Sequence, residues 1–151
     1  MRDSRVNVAN SQTFTNPTST GAVSTNVLDL EVDSVGGAIL TDDQLEGFMN
    51  VTIISATLSS GGTEGIVLEA RNADNSNLAT GAENIGVQDV PLAKVVTGAK
   101  FSVPFKRDIA ERYLGGWLRA KSTTYTGAIV VDIDFADQPI SENESVQKVT
   151  A

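Results

Sequence analysis

Apolar and polar residues alternate with a period of two through the middle of the chain, as in a strand that turns one face to a core. The clearest case is segment 128–135, where Ile129, Val131, Ile133 and Phe135 share one face. A helix repeats every 3.6 residues, so this spacing would scatter the four side chains around a helix. The pattern therefore predicts a strand with one face in the core and the other largely in solvent.

Similar alternation, clearer in some segments than in others, predicts further strands. They are expected at Val23–Leu30, Met49–Leu58, Ile66–Arg71, Val87–Pro91, Lys100–Phe105 and Trp117–Ser122. Met49–Leu58 is rich in β-branched residues and is expected to be the more fully buried strand. Pro104 has no N–H to give to a ladder, so Lys100–Phe105 is expected at a sheet edge.

The connections favour antiparallel strands in a sandwich. Ser59–Gly62 and Thr126–Gly127 contain the residues that tight turns require. A helical turn is expected only at Thr41–Glu46 and at Asp108–Tyr113. Short strands, turn signals and almost no helix predict an all-β fold, namely a jelly roll or antiparallel β-sandwich.

The length of 151 residues fits one domain. Residues 1–22 are rich in Ser, Thr and Asn and predict an extended N-terminal arm. Residues 23–138 are expected to form the sandwich. Residues 139–151 begin with a proline, are polar and acidic, and predict a C-terminal tail.

The composition argues against several classes of chemistry. The chain has no cysteine and no histidine, so disulfides, thiolate or imidazole metal sites and histidine bases are excluded. A net charge of -8 makes nucleic acid a poor partner. No apolar run approaches the ~20 residues of a membrane span, and 1–10 has no signal-peptide core. We expect a protein made in a cytosol-like compartment that stays there until it meets its partner.

Three groups of carboxylates invite a metal or catalytic interpretation: Asp132, Asp134 and Asp137; Asp42, Asp43 and Glu46; Asp108 and Glu111. The first group would suit calcium or magnesium, but two of its members alternate with apolar residues, which favours the solvated face of a strand. The other two groups have no second catalytic acid near them in sequence and favour helix capping or a solvated loop. We therefore predict no catalytic, metal-binding or cofactor-binding residues and no cofactor.

Paired glycines and a few aromatic residues complete the candidates. None of the glycine pairs has the context of a phosphate loop, and Gly115-Gly116 within a strand pattern predicts a bulge or a close backbone approach. Tyr113, Trp117 and Tyr125 are able to stack on a sugar. Packing in the core or at a subunit interface is preferred, and sugar binding stays as the alternative.

Five blocks of the chain resemble, in order and spacing, the capsid cement proteins of tailed bacteriophages of the Bordetella-phage type. The blocks are Ser24–Leu30, Ile66–Asp74, Val95–Pro104, Arg112–Leu114 and Thr126–Asp134. They cover most of the chain from Val23 to Phe135. The chain departs from the family pattern after Gly115 and in the acidic tail after Pro139.

The resemblance implies a jelly-roll decoration subunit that performs no chemistry. Such a subunit binds the outer capsid surface of the virion and bridges neighbouring major capsid proteins against the pressure of the packed genome. It implies a small homo-oligomer, with a dimer preferred to a trimer, and partners that include neither nucleic acid nor a membrane. The alternatives are a carbohydrate-binding jelly-roll module of a tail or cell surface and, third, a sugar hydrolase or lyase that uses carboxylates alone.

Overall fold

The computed structural model describes residues 6–29, 47–59, 63–79, 81–105, 112–122, 124–136 and 139–140. Within these ranges the chain forms nine strands and one short 3-10 turn at Leu92–Lys94. The strands are β1 Val6–Thr15, β2 Ala22–Val23, β3 Leu28–Asp29, β4 Gly47–Ala56, β5 Ile66–Ala73, β6 Glu83–Val90, β7 Lys100–Phe105, β8 Tyr113–Ala120 and β9 Ala128–Ala136.

The strands form two antiparallel sheets that pack face to face. The first sheet has the order β1-β9-β4-β7. In the second sheet β8 pairs with the short strands β2 and β3 on one side and with β5 on the other, and β6 follows β5. If β2 and β3 are counted as one interrupted strand, the chain winds as two nested Greek keys, which is a jelly roll. The predicted fold class is confirmed.

The core fills the space between the two sheets. Because side chains alternate along each strand, the inner faces contribute every second residue. Among the fully buried side chains of this core are Val8, Met49, Val51, Ile53, Ile66, Leu68, Val103, Leu118, Ile129, Val131 and Ile133. Each such aliphatic side chain contributes about 1.5–3 kcal/mol by leaving water, so this layer is the main source of stability.

β9 and β7 match their predictions. On β9 the side chains of Ile129, Val131, Ile133 and Phe135 are all buried, and the residues between them are partly exposed. β7 lies at the edge of the first sheet, and Pro104 is exposed there. The missing N–H of this proline therefore leaves no gap in a ladder.

The paired glycines of β8 are explained by close approach, and the alternative of a bulge is wrong. Gly115 and Gly116 pair in regular register with Arg71 and Ala70 of β5. A Cβ atom on Gly116 would lie 3.1 Å from Cδ1 of Ile133 in the opposite sheet. A Cβ atom on Gly115 would lie 2.6 Å from a methyl group of Leu78, which covers the outer face.

The expected burial of Met49–Leu58 was wrong for its second half. Strand β4 buries Met49, Val51 and Ile53, but a register shift between Ile53 and Ser55 leaves Ile54 exposed. The strand that is buried almost throughout is β5, because a layer of chain outside the sandwich covers part of its outer face. Sequence alternation cannot reveal such a layer, since the covering residues lie elsewhere in the chain.

The prediction of one strand over Val23–Leu30 was also wrong, since β2 and β3 are separate two-residue pairings with β8. Between them the Ser24 hydroxyl donates to the carbonyl of Asn26 and accepts from the N–H of Gly116. A serine side chain that occupies backbone groups in this way replaces the strand ladder locally. In addition, β6 begins at Glu83 and β8 at Tyr113, earlier than predicted.

The predicted N-terminal arm over residues 1–22 needs correction, because Val6–Thr15 is a strand of the first sheet. It pairs with β9, and it buries Val8 and Phe14. Two register shifts and the positive φ of 53° at Ser11 interrupt its alternation. Its polar residues, which suggested an arm, are the outward side chains of an edge strand.

The predicted tail begins on the body of the sandwich. The N–H of Ile140 donates to the Ser102 hydroxyl at 2.8 Å and to the Asn50 side-chain oxygen at 3.1 Å. Both acceptors lie on the outer face of the first sheet. The remainder of the tail, residues 141–151, and the helical turn predicted at Thr41–Glu46 lie outside the described residues. Of the turn predicted at Asp108–Tyr113, residues 108–111 also lie outside them, and Tyr113 begins strand β8.

Replacing Tyr125 by Phe tests how the ends of the sandwich are held. The buried hydroxyl of Tyr125 accepts the N–H of Gly65 at 2.8 Å, so Tyr125→Phe leaves a buried donor unpaired. We expect a loss of about 1–3 kcal/mol in the free energy of unfolding, measured by urea denaturation. The matched control is Tyr113→Phe, for which we expect a change within about 0.5 kcal/mol. Equal losses in the two variants would contradict this role of Tyr125.

Candidate functional site

A cluster of ionised side chains lies on the outer face of the second sheet. Glu69 of β5 is only 1% exposed, and its two carboxylate oxygens accept separate arginine donors. Nε of Arg71 lies 2.8 Å from Oε1, and Nε of Arg119 lies 2.8 Å from Oε2. The attraction between opposite charges and the two charge-assisted hydrogen bonds offset the free-energy cost of removing the carboxylate from water.

This cluster was missed by the sequence analysis, although a signal was present. Glu69 and Arg71 are two residues apart in a segment predicted as a strand, so they share the face opposite to Leu68 and Ala70. Arg119 comes from β8, and only the pairing of β8 with β5 brings it to the same place. The sequence therefore allowed the two charges on β5 to be predicted as a polar face, but it did not show that Arg119 binds the same carboxylate.

Trp117 is part of the same layer and is not a free sugar platform. The guanidinium of Arg71 lies 3.9 Å from the centroid of its ring, a cation–π contact. Its Nε1 donates to the carbonyl of Thr20 at 3.0 Å, and the side chain is 5% exposed. Tyr125 is also buried, and only Tyr113 keeps partial exposure. The three aromatic residues considered for sugar stacking therefore form no exposed platform.

Two carboxylates of β9 accept hydrogen bonds from the irregular part of β1. Asp132 accepts the N–H of Ser11 at 2.6 Å, and Asp134 accepts the side-chain amide of Asn7 at 2.8 Å. Both bonds reach the part of β1 where its register shifts. Across the described ranges there is no group of three acidic residues placed to hold a metal ion. Asp137 and the groups at 42–46 and 108–111 lie outside those ranges.

A half-open groove of about 300 Å³ runs beside the end of β1. Phe14 and Leu118 contribute apolar surface, and Gln12, Asn16 and Thr18 contribute polar atoms. Those polar atoms bind the chain itself: Gln12 bridges the backbone of Val23 and Thr25, and Asn16 accepts the N–H of Gly127. The groove therefore offers mainly its shape and its apolar surface to a partner.

Three large apolar side chains are exposed in the described part of the molecule. Val87 of β6 and Val96 of the following connection are each 51% exposed, and Ile54 of β4 is 39% exposed. Of the three, only Val87 lies on an edge strand, since β4 is an inner strand of the first sheet and Val96 belongs to a connection. Single exposed apolar side chains are common, so the position of Val87 on a sheet edge is the informative feature.

No protein-family model matches the chain, and the search of curated proteins found no significant match either. In the ranges that the structure describes, no helix has the length and apolar character needed to cross a membrane.

Replacing Glu69 by Gln tests the charge cluster. Glu69→Gln leaves two arginines without their shared carboxylate, and we expect a loss of about 3 kcal/mol in the free energy of unfolding. This is the lower end of the range for buried ion pairs, because both arginines keep partial contact with solvent. Urea denaturation measures the loss, and the same substitution at exposed Glu64 is the control. An unfolding free energy equal to that of wild type would show that the cluster contributes nothing.

Proposed function

We propose that the protein is a capsid cement, or decoration, subunit that binds the outside of a phage shell and bridges neighbouring major capsid proteins. The proposal is based on the resemblance of the sequence to that family. The subunit would act mechanically, through contacts between protein surfaces. Its place of action would be the outer surface of the virion.

The observation that carries the proposal is how the described polar groups are used. Glu69, the one carboxylate that is buried in the described ranges, is bound by two arginines. The side chains of Asn50, Asp132 and Asp134 connect elements of the fold. Strand edges, the exposed valines and the groove beside β1 remain available for contact with a partner. Such features support binding to protein by strand addition and apolar burial.

The fold is compatible with this role, but the same fold also occurs in proteins with other functions. Jelly rolls occur in viral capsid proteins and in lectins, and a fold hosts unrelated functions. The carbohydrate-binding alternative was based on Tyr113, Trp117 and Tyr125 as stacking surfaces. Trp117 is covered by Arg71 and bonded to Thr20, and Tyr125 is buried, so only Tyr113 keeps a partly exposed ring.

Binding to shells tests the proposal directly. Purified protein is mixed with undecorated shells assembled from the major capsid protein of the same genome, and the shells are imaged by electron cryomicroscopy. We expect added density at symmetry-related sites on the outer surface and a higher temperature of shell disassembly. The reason is that every bridge between capsomers opposes their separation.

Shells that already carry decoration protein are the control, and we expect them to bind none of the added protein. Bare shells without added density, and with an unchanged disassembly temperature, would sink the proposal. Wild-type protein is also tested on a glycan array, because saturable binding to one glycan in the absence of shell binding would favour the alternative function.

A further inference from the structure

In the described part of the chain the two sheets have four edges, and three of these are unsuited to pairing with another chain. β1 has two register shifts, and its Val8 carbonyl already accepts the N–H of Asn26. β7 contains Pro104, which has no N–H to donate. The opposite edge of the second sheet is interrupted, because β2 and β3 pair separately with β8. Interruptions of this kind are how sheet proteins protect their edges.

The fourth edge, β6, is the exception. It runs for eight residues from Glu83 to Val90 without proline, and its one register shift lies next to Gly86. Within the described ranges, its ladder partner is β5 alone. Every second residue of an edge strand directs its N–H and C=O away from the sheet. β6 therefore presents a row of backbone donors and acceptors to a further strand.

The middle of this edge carries an exposed apolar side chain. Val87 pairs with Glu69 of β5, so it stands on the outer face of the second sheet. It is 51% exposed, although its β-branched side chain is suited to packing against a neighbour on a sheet surface. A strand added beside β6 would cover it.

We propose that the added strand is β6 of a second copy, antiparallel to the first about a two-fold axis at Val87. The second sheets of the two copies then form one continuous sheet. A two-fold arrangement requires a surface that is complementary to itself, and an antiparallel strand edge meets that requirement. The inference deepens the proposed function and rests on it for its purpose, because a two-fold clamp offers the same surface to two neighbouring capsid proteins.

The charges of β6 exclude two alternative registers, and the exposure of Val87 favours the axis at that residue. With the axis at Val87, the two valines face each other, and Asp89 faces Ile85 of the second copy. An axis at Gly86 would place Glu83 opposite Asp89, and an axis at Asp89 would place that residue opposite itself. Like charges directly opposite each other destabilise a strand pair, whereas opposed β-branched residues stabilise it.

The remaining negative charge near the axis is offset within each copy. Asp89 forms an ion pair with Lys121 at 2.7 Å. The hydrogen bond and the charge of Asp89 raise the pKa of Lys121 above its usual value of 10.5. Lys121 is therefore protonated at neutral pH, and it reduces the repulsion between the two copies.

Sedimentation velocity of the full chain in the absence of shells tests the pairing. Val87→Lys places two ammonium groups opposite each other and removes two apolar side chains from the contact. We expect wild type to be a dimer at tens of micromolar and the dissociation constant of Val87→Lys to rise at least about tenfold. The matched control is Val96→Lys, since Val96 has the same exposure but lies outside β6. Thermal unfolding of each variant checks that it is folded.

Cross-linking tests the register. The chain contains no cysteine, so Val87→Cys introduces a single thiol. Opposed Cβ atoms in an antiparallel pair are about 4.5–5.5 Å apart, close enough to form a disulfide after a small shift. We expect mild oxidation to link Val87→Cys into covalent dimers much faster than Val96→Cys. Equal rates, a monomeric wild type, or an unchanged Val87→Lys dimer would each overturn the inference.

The two proposals fail in different ways. A dimer through β6 that ignores shells would retain this inference and remove the proposed function. A monomer that binds shells and raises their disassembly temperature would do the reverse.

Discussion

The pairing of β8 with β5 is the contact on which the rest of the structure depends. β8 lies between β5 on one side and the short strands β2 and β3 on the other. Without β8, these strands would have no hydrogen-bonded connection to β5. The third and fourth residues of β8, Gly115 and Gly116, allow Leu78 to approach from outside and Ile133 from the opposite sheet. Larger residues would separate these layers, because a protein interior packs without spare volume. The core and its outer cover therefore meet at the same short stretch of β8.

That pairing also explains the charge cluster. Glu69 and Arg71 belong to β5, whereas Arg119 and Trp117 belong to β8, and their contacts exist only when the two strands are in register. A buried ion pair is a weak source of net stability but is costly to break. The cluster therefore penalises a shift of β8 against β5, since a shift by one residue would place charges in the apolar core.

The function that we propose is supported by the surfaces that remain available for contact with other proteins. Many of the protein's described polar side chains bind other parts of the same chain, and the inner faces of its two sheets are packed against each other. The backbone edge of β6 and the exposed valines remain for contacts with other proteins. A decoration subunit needs surfaces of this kind, because its effect arises from adhesion to neighbours rather than from chemistry.

The residue pattern alone predicted the all-β class, the buried face of β9 and the edge position of β7, because period-two alternation and a proline act within a single strand. It did not reveal that Val6–Thr15 is a strand, since register shifts hid the alternation of that segment. Nor did it reveal that Arg71 and Arg119 bind the same carboxylate, that of Glu69. These features depend on which strands become neighbours, and residues far apart in the chain meet only when the two sheets have formed.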